Sequence, residues 1–533
     1  MQLPVSVTLA TMLLVAPSVG WSEEIIETEE AYFQDLPIVL TASRLAQPQS
    51  EAPNATTVID RKMIDASGFR TVPELMRLVP GMYVGFADAN RPVVSLHGSV
   101  DEYARRMQVL VDGRSIFMAP FGSVPWADLP LLIEDIERIE VVRGPSSASH
   151  GSNAFYGTIN IITRDPRGAK ETTIASRLGA ASDASVRISG SDSSWDYRVS
   201  LGYRSDDGLE RGTLNDYNAT RLYNVHLNIR PTATDDIQLK LGASRGIYGL
   251  GIVGRPEDAF RETSSATDYQ LVSWHRIWSD KDESRLTLSK TSRNSLDPQL
   301  CKDSNACQYA GKTTLYPLEL YPTRGFYPQA NSHLRSEVEL QNTHRIGDTH
   351  RVVWGGGTRR DYADYSIFLE EPTTVNVWRL FLHDEWRIND KVIANLGLMH
   401  ESDGVGNTNN SPRVSLNYHL TPKHTVRFAW SAATRSPVMI ETYIRANNTV
   451  LGGLFVRPLT QLTPEKIESY ELGYLGEFPG IHTSLEVRLY QERLTDQIWY
   501  DKFVVITPNP YDRSSPDSFK NLFGTEFKGV ELT

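Results

Sequence analysis

Few side chains in this chain stand at spacings that could make or break a covalent bond. Ser146 lies in Gly-Pro-Ser, not in the Gly-x-Ser-x-Gly turn that lifts a nucleophile clear of its strand, and no acid–base pair can be assigned beside it. His333, His344 and His350 have no metal-ligand spacing and read as strand and turn residues. No calcium-loop or nucleotide-binding pattern is present, so no catalytic residue, resident metal or cofactor is expected. The remaining chemistry is recognition. Arg255, Arg261, Arg324 and Arg445 fall among acids and aromatics in polar stretches, a mixture suited to an anionic ligand or to a neutral macrocycle. Ile38-Val39-Leu40-Thr41-Ala42 is β-prone and follows an acidic stretch with little to bury. Such a segment can add itself to an exposed strand edge of a partner through backbone hydrogen bonds, with little demand on its side chains.

The elements that position these residues fall into two kinds. In the stretch Leu131–Pro166, β-rich runs at Ile139–Val142 and Gly157–Thr163 bracket a Gly-, Ser- and Pro-rich middle with one helical turn at Ser146–His150. Upstream, Asp60 can cap a helix starting at Arg61, and Thr71 with Glu74 has capping-box spacing. Gly68 breaks the run between them, and Gly81 is placed to end the second helix. Strands are expected at Arg91–Gly98 and Gln108–Val111, the latter ending in the tight-turn pair Asp112-Gly113. Together these make a small β/α module.

Beyond Gly168 the pattern changes to strict alternation, as in Tyr223–Arg230, Val414–Leu420, Val426–Trp430 and Leu485–Leu489. Period two means strands with one apolar face. That face can pack on a soluble core or meet lipid. Lipid is favoured by Tyr and Trp near strand ends (Trp274, Trp278, Trp354, Trp378, Trp386, Trp430, Tyr474, Trp499) and by Arg, His, Glu and Asn on the opposite face. A net charge of −11 excludes neither, because barrel strands need no run of twenty apolar residues. Short connections at 230–236 and 420–424 alternate with long polar ones at 246–267, 291–331 and 439–462, and loops of that length are where selectivity is expected. Met1–Ser22 has the apolar centre and small-residue end of an export signal, although its first residues carry no Lys or Arg. In an exported protein, Cys301 and Cys307 are expected to form a disulfide closing a small ring.

The segment at Ile38–Ala42, the Val111-Asp112-Gly113-Arg114 turn, Glu140-Val141-Val142-Arg143-Gly144-Pro145 and Gly157–Thr163 occur in an order that closely resembles the plug domain of TonB-dependent outer-membrane receptors. The resemblance implies an all-β transmembrane barrel, with a family norm of 22 antiparallel strands, filled by an N-terminal α+β plug. It divides the chain into a signal peptide at 1–22, a periplasmic leader at 23–47, a plug at 48–168 and a barrel at 169–533. Ile38, Val39, Leu40, Thr41 and Ala42 correspond to the TonB box, and Glu140 and Arg143 to plug residues that pair with the inner wall. At the end of the strand Arg91–Gly98 the family usually carries Arg-Gly, whereas this chain has His97-Gly98, so a fixed ion pair is not assigned there.

The implied function is import of a scarce ligand, foremost a ferric siderophore and otherwise cobalamin or haem. The implied partners are TonB with its inner-membrane energising complex, the ligand and outer-membrane lipid, but not nucleic acid, and the chain is expected to be a monomer in the Gram-negative outer membrane. A passive pore would lack a plug, a signalling receptor would need a further periplasmic domain, and a secreted hydrolase would need a nucleophile with its base. Residues 169–533 hold about sixteen or seventeen strands, and an open edge cannot sit in lipid. The barrel is therefore expected to be incomplete, with the chain a C-terminally truncated fragment or, alternatively, a disrupted non-transporting barrel.

Overall fold

The computed structural model describes residues 37–97, 103–179, 181–209, 212–252, 260–300, 326–365, 368–369, 371–444, 446–448, 454–456, 461–481, 483–500 and 518–533. The export signal, the leader through residue 36, Cys301, Cys307, Arg255, Arg324 and Arg445 lie outside these residues.

The N-terminal module begins with β1 (Ile38–Val39) and β2 (Gln47–Pro48), paired antiparallel, and β3 (Thr56–Ile59). Asp60 accepts a hydrogen bond from the Met63 amide and starts α1 (Arg61–Ser67), which Gly68 ends at φ +67°. The Glu74 carboxylate takes the amide and hydroxyl of Thr71 at the head of α2 (Val72–Leu75). A hairpin, β4 (Met82–Phe86) with β5 (Pro92–Leu96), follows. Next come β6 (Met107–Val111) and β7 (Arg114–Ser115), joined through Asp112 at φ +52° and Gly113 at φ +80°, the left-handed pair that a two-residue hairpin turn requires. Then β8 (Ile136–Arg143), α3 (Ser147–His150) and β9 (Gly157–Thr163) complete the module.

These strands form a five-stranded sheet in the order β3-β8-β9-β6-β7, in which only β6 and β9 run parallel. One face of the module buries Ile59, Leu75, Met76, Leu96, Ile139, Val141, Phe155 and Ile159 almost completely. At roughly 1.5–3 kcal/mol for each large apolar side chain, this core is what holds the module together.

The rest of the described chain is one sixteen-stranded sheet, every strand antiparallel to the next, running from Glu171–Arg177 to Phe519–Leu532. Its burial is inside out for a soluble sheet. Along Asn218–Ile229, Asn224, His226 and Asn228 are buried while Tyr223 and Val225 are exposed, and the same holds for Ser415 and Asn417 against Val414, Leu416 and Tyr418. A soluble sandwich would cover these apolar faces, whereas a membrane barrel turns them to lipid. The first and last strands are edges and do not pair with each other among the described residues.

Turns at 192–194, 230–234, 278–281, 347–349, 390–391 and 422–423 form a short-turn rim, and the long connections leave from the opposite end. Two of the long connections are shorter than expected. Strands Asp235–Leu250 and Arg261–Ile277 pair up to Leu250–Arg261, and strands Asp282–Leu300 and Phe326–Ile346 pair up to Leu300–Phe326.

Candidate functional site

Two sets of contacts converge on the N-terminal module: those that hold the segment Ile38–Ala42, and those that fasten the module inside the barrel. In the first set, the sequence Leu40-Thr41-Ala42 leaves β1 and turns through Arg44, at φ +65°. The amides of Leu40 and Thr41 both donate to Glu140 Oε2 at 2.9 Å, and the Thr41 hydroxyl donates to the same oxygen at 2.6 Å. The carbonyls are held as well. His150 Nε2 donates to Thr41 O at 2.6 Å, while Ser149 Oγ (2.9 Å) and Arg413 Nη1 (2.5 Å) donate to Ala42 O. Val39 and Ala42 pack with Ala52 and Val142, whereas Ile38 stays exposed.

Burial, with the Arg44 charge acting in the same direction, pushes the His150 imidazole down to about 3. The ring is therefore neutral, and because a carbonyl can only accept, its proton sits on Nε2. Arg44 pairs with Glu339 at 2.5 Å, Gln47 Nε2 donates to Asn395 at 2.9 Å, and Glu51 pairs with Arg387 at 2.9 Å. These wall residues stand nearer the short-turn rim.

Among the described residues, Glu140 thus makes no wall contact, contrary to expectation. Its carboxylate turns to Leu40 and Thr41 and to Arg138 at 2.9 Å. The reason is strand alternation: residue 140 shares a face with Val142, which packs on the leader, whereas Arg143 is on the other face.

Arg143 reaches the wall. Its guanidinium, fully buried, pairs with Glu531 at 2.6 Å and with Glu486. Similar pairs ring the module: Arg70 with Asp183 (2.6 Å) and Asp206 (2.8 Å), Arg106 with Glu465 (2.7 Å), Asp112 with Lys240 (3.0 Å), and Asp128 with Arg293. His97 places Nδ1 2.9 Å from Glu492 and Nε2 2.9 Å from Glu531. Arg70, His97, Arg106, Asp128, Ser149, His150 and Arg413 were not singled out as site residues from the sequence. Arg413 is one inward residue of an alternating barrel strand, the others carry only ionisable or polar character within the module, and their partners are remote in sequence.

At the long-connection end, Phe121 stacks on Tyr103 and meets Tyr365 and Phe368 edge-on, and Arg105 lies over the Tyr103 ring at 4.6 Å. A short helix, α4 (Met439–Tyr443), closes against this apex through the amides of Met439 and Ile440, which donate to Ala119 O and Pro120 O. Arg261 opens the strand Arg261–Ile277 at this end and pairs with Asp297 at 2.7 Å.

Residues 144–533 match the family described as TonB dependent receptor-like, beta-barrel, and residues 48–158 match the TonB-dependent Receptor Plug Domain. The chain belongs to the TonB-dependent receptor family. The Vitamin B12 transporter BtuB of Photobacterium profundum is 31% identical over 93% of this chain and 75% of its own length. The Iron-regulated outer membrane virulence protein of Vibrio cholerae is 24% identical over 99% of this chain and 79% of its own. In fold the receptor is similar to the ferric enterobactin receptor PfeA of Pseudomonas aeruginosa, with a TM-score of 0.70 at 16% identity, covering 93% of this chain and 79% of that one. The N-terminal module is accordingly the receptor's plug. The barrel places the receptor in the outer membrane of a Gram-negative bacterium, its exposed apolar faces against lipid.

Proposed function

We propose that the receptor actively imports a scarce ligand, foremost a ferric siderophore, and that Ile38–Ala42 is the TonB box through which TonB and its inner-membrane energising complex do work on the plug. The observation that carries this reading is how the segment is held. Its amides and carbonyls are met by Glu140, His150, Ser149 and Arg413, contacts that a strand from a partner can replace one for one. The ligand meets the aromatic and arginine apex of Tyr103, Arg105, Phe121 and Tyr365, together with Arg261 and the connections that carry Arg255, Arg324 and Arg445. No bond in the ligand is made or broken, so the work is transport. In this reading Arg143 keeps the plug seated while the segment is pulled.

Two experiments test this. Cells expressing the receptor are offered labelled ferric catecholate and hydroxamate chelates, cobalamin and haem. Accumulation of a chelate is expected, and accumulation of cobalamin alone favours the second reading, which the vitamin B12 transporters among the relatives support. Leu40→Pro removes the amide that Glu140 holds and the one that an added strand must use. Surface binding should persist and accumulation should stop, as it should in the parent when the proton gradient is collapsed. Undiminished accumulation in Leu40→Pro sinks the TonB-box assignment.

A further inference from the structure

His97 stands where the plug meets the last two described barrel strands, Thr483–Tyr500 and Phe519–Leu532. Both its ring nitrogens lie 2.9 Å from carboxylate oxygens, Nδ1 from Glu492 and Nε2 from Glu531. An ionised carboxylate only accepts, so two carboxylates satisfy the ring only if it carries both protons and is a cation. The surroundings favour that charge. Around His97 the wall supplies Glu486, Arg488 and Glu492 from one strand, Glu531 from the next, and Glu471 and Arg427 from Glu465–Phe478 and His424–Arg435. The plug supplies Arg143 from β8.

Among the described residues, the carboxylates of Glu471, Glu486, Glu492 and Glu531 face the guanidiniums of Arg143, Arg427 and Arg488. His97 is the fourth cation and balances the cluster. The ring stacks on Tyr490 at 4.3 Å, and Arg488 lies over the same tyrosine at 4.7 Å. Backbone geometry fits this use. His97 sits in the left-handed region at φ +57°, where a side chain is uncommon, and its amide donates to Gly81 O. Gly81, at φ +71°, makes the approach possible, since a Cβ there would stand 2.7 Å from Glu531 Oε1.

We propose that His97 is a proton-dependent latch, which as an imidazolium ties the β4–β5 end of the plug to Glu492 and Glu531 and on losing its proton lets that end of the plug loosen from the wall. Arg143, paired with Glu486 and Glu531, remains as a second fastening beside it. Burial and the Arg488 charge oppose the imidazolium, but the hydrogen bonds to Glu492 and Glu531 outweigh them, and the ring titrates above its ordinary 6.5. For a group whose folded value is raised, the contribution to holding the plug is fully present below about 6.5 and is lost as the pH climbs through the folded value. The device acts whatever the ligand is.

Hydrogen exchange of the β4–β5 hairpin, measured on the receptor in lipid nanodiscs and corrected for intrinsic chemistry, tests it. In the parent, the opening constant should be flat below about 6.5, rise from there by up to about tenfold per pH unit, and level off once the folded value is passed. His97→Arg should be flat and low throughout, and His97→Gln flat and high. Glu492→Gln, which removes one of the two carboxylates, should move the levelling-off to lower pH and so shrink the total rise. A parent profile that stays flat between pH 6 and 9 overturns the latch, even where a variant does not assemble. So does a rise that survives in His97→Gln, a levelling-off that Glu492→Gln leaves in place, or equal opening of His97→Arg and His97→Gln, which would mean ring packing and not charge.

Discussion

Glu140 and Arg143 are three residues apart on one strand, and alternation gives them opposite tasks: the acid holds the segment Ile38–Ala42 and the base holds the wall. Hydrogen bonds to a charged acceptor contribute about 1.5–3 kcal/mol each. Losing about 2 kcal/mol would release the segment roughly thirtyfold more often. Glu140→Gln should therefore enlarge the mobile fraction of a spin label at Ile38→Cys, in a Cys301→Ser, Cys307→Ser background, while leaving ligand binding intact. Ile38 is exposed, so the label itself disturbs no packing. An unchanged spectrum would mean that Glu140 is a bystander.

His150 adds a pH dependence of opposite sign to that of His97. Its held form is neutral, with a value near 3, against 6.5 for a freed ring. Hold on Thr41 is therefore complete above about 6.5 and is lost as the pH falls from there toward 3. The mobile fraction at Ile38→Cys should grow by up to about tenfold per pH unit below 6.5. His150→Asn should remove that slope, and a slope that persists assigns the effect to another group.

At the scale of elements, β8 and β9 approach closely at Gly157. Gly157 pairs with Arg143, and a Cβ on Gly157 would stand 2.3 Å from the Val142 carbonyl, a backbone atom in a sheet that cannot yield. Gly157→Ala should thus part the strands at Arg143 and destabilise the plug by about 1–3 kcal/mol, as overpacking does. Protease sensitivity of the plug in intact barrels would report it, and resistance equal to the parent's would contradict the account.

Much at this scale was legible in the sequence. Capping residues fell at Asp60 and Thr71, the Asp112-Gly113 turn has the predicted left-handed geometry, and β9 spans Gly157–Thr163. These features are local, set by a residue and its next few neighbours. The wall contacts were not legible. His97 meets partners 395 and 434 residues away, and which inward residue faces which plug residue depends on strand register and barrel stagger, neither of which leaves a local trace. Glu140 was misassigned for a related reason: its charge was plain, but not which face would meet the leader.

For the whole molecule, barrel and plug are held by different physics. The barrel is a continuous hydrogen-bonded ladder of sixteen described strands, and lipid offers its backbone no alternative partners. The plug is fastened by charges: Arg70, Arg106, Asp128 and Arg143 each pair with buried or half-buried wall residues. Buried ion pairs contribute little net stability over an apolar contact, yet removing one partner costs about 3–5 kcal/mol because a charge is left stranded. Such a seam specifies position strongly and adheres weakly, which suits the plug movement proposed above.

Urea should therefore loosen the plug before it opens the barrel. With a denaturant slope of about 1–3 kcal/mol per molar, Arg143→Gln should lower the plug's midpoint by roughly 2 M and leave the barrel's unchanged. The barrel is read by heat-modifiable migration on gels. The plug is read by the emission of Trp126, obtained as the difference between parent and Trp126→Phe, since that side chain is buried in the plug core. A single transition shared by both probes and displaced as one by Arg143→Gln would show that plug and wall unfold as a unit, and the separation argued from the charged seam would be wrong.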